Sequence, residues 1–194
     1  NYGMPVNKPQ PKAPGPQMFT KTPGAYNANQ AIKSQDNAGD VFNTNPAEAA
    51  QYRNLGFGMA LTSQHDGIAQ GSFALVTFAD TNANEAVVDG KAAAGYSLNK
   101  GTSTQDYPVS LMGAIALLRQ TYYDANWYKN THHKTEYDIS LEAFNALQGL
   151  PQIFTVNDKL SVLRADKIAR EFKVNYIIKG KGDEYERLDA VKNT

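Results

Sequence analysis

The last third of the chain alternates strand and helix patterns, and this alternation constrains the fold most. Residues 150–156 and 174–178 are short apolar runs typical of buried strands. Helical patterns follow them at 157–173, with Asn157 and Asp158 as the cap, and at 183–193. Strands separated by a helix of this length pair in parallel through a right-handed crossover. The sequence therefore predicts an α/β fold.

Further elements are predicted upstream of this region. Asn45 and Pro46 are typical of a helix start, because asparagine caps free amides and proline fits the first turn. The predicted strands are 56–62, 72–78, 86–88 and 92–98, and the predicted helices are 47–54, 108–129 and 139–148.

The N-terminal part of the chain has a different composition. Seven of the nine prolines lie between residues 5 and 47. Each proline fixes φ and removes an amide donor, so this part should form neither a helix nor an inner strand. Two interpretations stay open: a disordered linker, or an irregular loop packed on the core. We predict an irregular Pro-rich segment at 1–44, packed on a domain at 45–194.

Charge and composition exclude several classes of function. Lys and Arg together number 19, as do Asp and Glu, so the formal net charge is zero. Such a chain has no bulk attraction for nucleic acid or an anionic membrane. The absence of cysteine excludes disulfides, thiol catalysis and zinc–cysteine sites. No apolar run approaches the roughly 18 residues of a membrane span. We expect neither nucleic acid nor a membrane span.

Three runs of the sequence together resemble one branch of a known enzyme superfamily. They are LGFG at 55–58 continuing to 68, GTSTQDYP at 101–108 followed by SLMG, and LPQIF at 150–154 followed by IIKG at 177–180. The stretch from Asn45 onward is similar to the imidazolonepropionase-like branch of the amidohydrolase superfamily. The resemblance implies a partial (β/α) TIM-barrel-like domain with parallel strands, as an internal piece of a larger secreted amidohydrolase.

The resemblance also implies metal ligands, and three positions depart from them. The family's first barrel strand ends in a His-x-His pair, and Asn1 falls near the second histidine. Thr155 stands where a later strand carries histidine in a Pro-x-x-x-His-Ala run, and Lys179 replaces a histidine of the next strand. Threonine and protonated lysine are poor substitutes for neutral imidazole. The family implies a divalent metal such as zinc, but its ligands are not matched here.

The function implied by the resemblance is hydrolysis of a non-peptide carbon–nitrogen bond. Because the classical metal ligands are replaced, the alternative is a catalytically silent barrel-derived subunit or binding module. A barrel needs eight strand–helix units, so the rest of the polypeptide or a partner chain should close it. The resemblance also implies a periplasmic or secreted location.

His65 and Asp66 are candidate catalytic residues. They follow a predicted strand and precede Gly67, and the carboxyl ends of barrel strands face the active site. His65 could be a ligand or a general base oriented by Asp66. The alternative is a loop histidine that is hydrogen-bonded to a neighbour, since one histidine without partners is weak support for a site.

Lys179 is the third candidate catalytic residue, at another strand-to-helix turn. It could bind a substrate carboxylate, while Asp183 or Glu184 could transfer a proton. The alternative is an ordinary turn in which the two acids cap the next helix, and the pattern favours it.

Three further patterns have structural explanations. His132 and His133 could bind a metal, but adjacent side chains point apart and a third ligand is missing. The loop 101–106 could cradle an anion, although capping of the next helix by Asp106 is favoured. An aromatic cluster could stack sugars or bases, but helix packing explains it more simply. Its members are Tyr122, Tyr123, Trp127 and Tyr128.

Overall fold

The computed structural model of the chain describes residues 1–9, 11–12, 14–131 and 137–192. The strands are β1 (Met59–Thr62), β2 (Ala69–Thr77), β3 (Val87–Ser97), β4 (Gln152–Thr155) and β5 (Tyr176–Lys179). The helices are α1 (Ala38–Val41), α2 (Pro46–Asn54), α3 (Ala83–Ala86), α4 (Leu111–Asn130), α5 (Ile139–Leu147), α6 (Lys159–Phe172) and α7 (Leu188–Val191), with a 3-10 turn at Glu184–Arg187.

The strands form a five-stranded sheet in the order β1-β2-β3-β4-β5, curled into a half-barrel. β3, β4 and β5 pair in parallel, and α4 to α6 supply the crossovers that parallel pairing requires. The predicted α/β class and partial barrel are confirmed.

The first two pairings differ from the predicted parallel arrangement. β1 pairs antiparallel with β2, and β2 antiparallel with β3. The loops at 63–68 and 78–86 are too short for a helical crossover back to a parallel strand, so the chain turns as hairpins. As a result β1, β3, β4 and β5 all run in one direction, and β2 alone runs against them.

The long helix α4 begins later than its sequence pattern indicates. The hydroxyl oxygen of Ser110 accepts a hydrogen bond from the amide of Gly113 at 3.1 Å, which makes Ser110 the N-cap. The predicted cap by Asp106 is wrong, because its carboxylate accepts from the amide of Gln17 at 2.8 Å and pairs with Lys12.

The two weak strands predicted around Gly90 are one continuous strand, β3. Gly90 lies directly against Gly39 of α1, where an added Cβ on Gly39 would stand 2.7 Å from the Cα of Gly90. The glycine pair therefore allows α1 to approach the sheet closely, and the missing side chains explain the weak strand pattern.

The main core lies between the sheet and α4 to α6. Tyr96 of β3 and Phe154 of β4 are buried there beside Leu118 and Phe144. In the predicted aromatic cluster, Tyr122 and Tyr128 also lie in this core; their packing role is confirmed, whereas Tyr123 and Trp127 are exposed.

The Pro-rich segment (described residues of 1–44) packs along the start of β2. Its residues Ile32 and Asn37 form parallel bridges to Ala69 and Ser72. Tyr2 is buried in a second apolar cluster on the sheet. Apart from the short helix α1, the described residues of this segment are irregular; the expectation that it holds no helix is wrong at α1, because residues 24–45 contain no proline.

None of the helices within the described part of the chain is long and apolar enough to cross a membrane.

Candidate active site at the carboxyl edge of the sheet

The carboxyl ends of four strands, β1, β3, β4 and β5, lie at one edge of the half-barrel. In register, Ser97 of β3 lies opposite Thr155 of β4, and Thr155 lies opposite Lys179 of β5. His65 follows the end of β1 at the same edge, because β1 runs in the direction of β3 to β5. These strand ends therefore share the edge at which a barrel places its active site.

His65 is held on a strained backbone in a half-buried position. Its φ of 50° lies in the left-handed region, which only a few per cent of non-glycine residues adopt. The hydroxyl of Ser63 accepts from the backbone amide of His65 and lies 3.2 Å from Nδ1 of its ring. The ring packs edge-on against Phe73, with centroids 5.1 Å apart. These contacts fix the orientation of the imidazole.

The surroundings of His65 keep its ring neutral. Burial lowers the pKa of His65 to about 4, the positive charge of Lys179 lowers it as well, and the side chain of Gln70 partly offsets both. At neutral pH the imidazole therefore carries no charge and keeps a lone pair. His65 and Lys179, two of the three candidate catalytic residues, thus lie at the same edge of the sheet and interact electrostatically.

Asp66 does not orient His65 as the sequence suggested. Its carboxylate accepts hydrogen bonds from the amide and hydroxyl of Thr102 at 2.7 and 2.6 Å, and from the side-chain amide of Asn7 at 2.9 Å. Lys33 forms an ion pair with it. We call this group the Asp66 clasp. Burial raises the pKa of Asp66, but hydrogen bonds from Lys33 and Thr102 outweigh it, and the pKa is lowered.

The clasp explains the loop 101–106, which the sequence suggested as an anion cradle. The amide of Thr102 does bind an anion, and that anion is the chain's own Asp66. Gly101 has φ +63°, and an added Cβ would lie 1.8 Å from Oδ1 of Asp66. A glycine is therefore needed for the loop to reach the carboxylate.

The acids that follow Lys179 have structural partners. Asp183 accepts from the amide of Lys159 at 3.3 Å, and Glu184 accepts from the amide of Gly182 at 2.9 Å. The amide of Lys159 belongs to α6, and Asp183 makes no side-chain cap bond to the 3-10 turn that follows it, so the predicted capping of the next helix by Asp183 is wrong. Lys179 itself is exposed at the end of β5. His132 and His133 lie outside the described residues.

Sequence reasoning missed Ser63, Gln70, Lys33 and Thr102 as parts of this region. Ser63 stands two positions before His65, a spacing at which side chain and backbone can bond locally. Lys33 had no such signal, because it lies in a segment without hydrophobic periodicity. Only the packing of the Pro-rich segment on β2 brings it to Asp66.

The side chains at this edge do not fit the divalent metal that the resemblance implies. His65 offers one imidazole, while Thr155 and Lys179 replace the family's histidines. A lysine ammonium has no lone pair for a metal, and neutral threonine is a weak ligand. In the described part of the chain, no three His, Cys, Asp or Glu residues are grouped as a metal site would require.

The fold was compared with known proteins. No protein-family model matches the chain, and no curated protein matches it. Among solved structures it is similar to a crystal structure of an amidohydrolase from Thermotoga maritima MSB8, with a TM-score of 0.62 and 21% sequence identity. The chain shares the fold of that protein. The match covers 84% of this chain and 48% of that amidohydrolase, so the chain spans about half its length.

Proposed function

We propose that this chain is a portion of an amidohydrolase-like hydrolase acting on non-peptide carbon–nitrogen bonds, of the imidazolonepropionase-like branch. The observation that carries the proposal is that β1, before His65, and β5, which ends at Lys179, finish at the same edge of the half-barrel, where the charge of Lys179 acts on the His65 ring. The likeness to the Thermotoga amidohydrolase supports the fold on which such a site is built.

In the proposed reaction, the ammonium of Lys179 binds a carboxylate of the substrate beside the scissile bond. His65, which is neutral because of its burial, accepts a proton from the water that attacks the carbonyl carbon. The proton then passes to the leaving nitrogen as the carbon–nitrogen bond breaks, so one water is consumed for each bond. Its pKa of about 4 makes His65 a weak base, and a modest rate is expected.

The half-barrel leaves edges that other sequence would need to cover. β1 and β5 each pair on one side within the described sheet. On these two strands, Leu61 and Ile177 are large apolar side chains that are exposed. Open edges and exposed apolar faces favour association with further strands. We propose that the remainder of the same polypeptide, or a partner chain, pairs with the edges at β1 and β5 and closes the barrel.

We also propose a periplasmic or secreted location, on the sequence resemblance alone. Cell fractionation with an antibody against the chain tests it, and recovery only with cytoplasmic markers would contradict it.

The second candidate function is a catalytically silent subunit or binding module. The donor set at the carboxyl edge favours it, because one imidazole, a threonine and a lysine do not make a classical metal centre. Stoichiometric zinc, manganese or iron in the native protein would contradict this second candidate.

The proposed hydrolase activity is tested by assaying the native protein with N-acyl amino acids and cyclic amides as substrates. We expect turnover that falls at least tenfold in His65→Gln and in Lys179→Met, because each removes a group placed at the reacting atoms. Lys181→Met is the matched control, since it removes a nearby exposed lysine of the same loop. Equal rates in all three folded variants, or no turnover at all, would contradict the hydrolase.

A further inference from the structure

A cavity of about 840 Å³ lies between the Pro-rich segment and the loop 102–104. Gln64, at the carboxyl end of β1, and Lys33 form part of its wall. Ligand sites for small molecules typically have volumes of about 300–1,000 Å³. The cavity is therefore large enough for a ligand of disaccharide size.

Hydrogen bonds and an ion pair hold the walls of this cavity together, so the cavity is preformed. The buried side chain of Gln105 donates hydrogen bonds to the carbonyls of Met18 and Ala28 at 3.2 and 2.9 Å. It also accepts one from the amide of Gln30 at 2.6 Å. The Asp66 clasp ties Lys33 to the sheet on the other side. A fixed cavity binds with a smaller ordering cost than a flexible one.

The lining of the cavity suits a polyhydroxylated ligand. Most lining side chains carry an amide or a hydroxyl, such as Asn27 and Thr104. The side-chain oxygen of Gln35 is buried and accepts no hydrogen bond from the residues described. Phe19 and Tyr26 also line it and are 74% and 39% exposed. Aromatic faces next to amides provide the apolar and polar contacts that a sugar ring offers in return.

The charge of the lining is predominantly positive. The lining contains three lysines, Lys8, Lys21 and Lys33, and a single carboxylate, that of Asp36. Lys33 is already paired with Asp66, whereas neither Lys8 nor Lys21 forms an ion pair within the described part of the chain. Two lysines without acidic partners attract an anionic group on a ligand.

We propose that this cavity binds an acidic saccharide, that is, a sugar unit carrying a carboxylate. Lys8 and Lys21 bind the carboxylate, amide and hydroxyl side chains of the lining bind the ring hydroxyls, and Phe19 packs on the face of the ring. Neither His65 nor Lys179 lines the cavity. The proposal is therefore independent of the hydrolytic site, and each can fail without the other.

Isothermal titration calorimetry on the full chain tests the proposal with three probes. Digalacturonate carries both ring and carboxylate, maltose carries rings without charge, and succinate carries carboxylates without a ring. We expect saturable 1:1 binding of digalacturonate, at least tenfold weaker binding of maltose, and no detectable binding of succinate. Absence of digalacturonate binding, or binding of maltose or succinate as tight as that of digalacturonate, overturns the proposal.

A pair of charge-matched double variants tests which residues are responsible. Lys8→Gln with Lys21→Gln should weaken digalacturonate binding roughly tenfold or more, because charge-assisted hydrogen bonds are lost. Lys91→Gln with Lys167→Gln removes the same charge at exposed positions outside the cavity and should leave the affinity unchanged. Circular dichroism verifies that both fold. Equal affinity in the two variants overturns the assignment.

Discussion

Asp66 accepts hydrogen bonds from both the backbone amide and the hydroxyl of Thr102, at 2.7 and 2.6 Å. Asp66 follows β1, and Thr102 lies in the loop that follows β3, so the bonds tie two carboxyl ends of the half-barrel together. Lys33 adds the Pro-rich segment through its ion pair with the same carboxylate. A residue suggested by the sequence as a catalytic partner thus joins three parts of the fold.

Asp66→Asn should lower the free energy of unfolding by about 2 kcal/mol, because it leaves the mostly buried ammonium of Lys33 without its counter-charge. Denaturant unfolding followed by circular dichroism measures the change. Asp166→Asn is the control, because its ion pair with Arg170 is an i,i+4 helix pair worth about 0.3–0.5 kcal/mol. Equal losses in both variants would contradict the structural role of the clasp.

His65 should titrate far below an ordinary histidine. Its ring proton signals in an NMR pH titration should have a midpoint at about 4, compared with 6.5 for a solvated imidazole. Lys179→Ala should raise this midpoint because it removes a neighbouring positive charge, and Lys181→Ala should leave it unchanged. A midpoint near 6.5 in the unsubstituted chain would contradict the burial of the ring.

The lowered pKa of His65 also makes the free energy of unfolding depend on pH. The folded pKa of about 4 lies below the unfolded value of 6.5, so the unfolded chain binds more protons between these values. The free energy of unfolding should therefore fall as the pH is lowered from 6.5 to 4. Denaturant unfolding of His65→Gln across this range should show a shallower fall, and an unchanged slope would contradict the assignment.

Gly71→Ala should separate the Pro-rich segment from β2. Gly71 has φ +77°, and an added Cβ would lie 2.0 Å from the carbonyl oxygen of Asp36. Gly15→Ala is the control, because Gly15 also has a positive φ of +85° but has open space around it. We expect a loss of about 1 kcal/mol for Gly15→Ala from backbone strain alone, and several kcal/mol for Gly71→Ala.

Thermal unfolding measures both glycine variants. Limited trypsin digestion at the lysines of the Pro-rich segment reports its release, which should accelerate in Gly71→Ala only. Similar melting temperatures for the two variants would show that this segment does not pack on β2 as described.

Gln105→Ala should loosen the Pro-rich segment without disturbing the main core. Its buried carboxamide makes three hydrogen bonds to the backbone of this segment, and removal leaves those groups unsatisfied. We expect a loss of about 2 kcal/mol and faster trypsin cleavage. Gln120→Ala is the control, because its side chain is exposed on α4 and donates a hydrogen bond to the carboxylate of Asp124 on the same helix. Equal cleavage rates would contradict this role.

The edge of the sheet was partly predictable from the sequence. The strand patterns at 150–156 and 174–178 predicted neighbouring parallel strands, with Thr155 in the first and Lys179 in the turn directly after the second; the strands are parallel, and Lys179 is the last residue of β5. The strand before His65 placed that residue at the same edge. The partner of Asp66 was not predictable, because Lys33 and Thr102 are brought to it by loops whose course local patterns do not specify.

The sequence by itself determined the α/β class, most strands and helices, and the direction of β3 to β5, because these depend on local periodicity and on the length of the crossovers. Only the tertiary structure decided the hairpin pairing of β1 and β2, the neutral state of His65 and the cavity lined by the Pro-rich segment. These depend on which surfaces exclude water from one another, and burial of that kind arises from contacts between segments far apart in the chain.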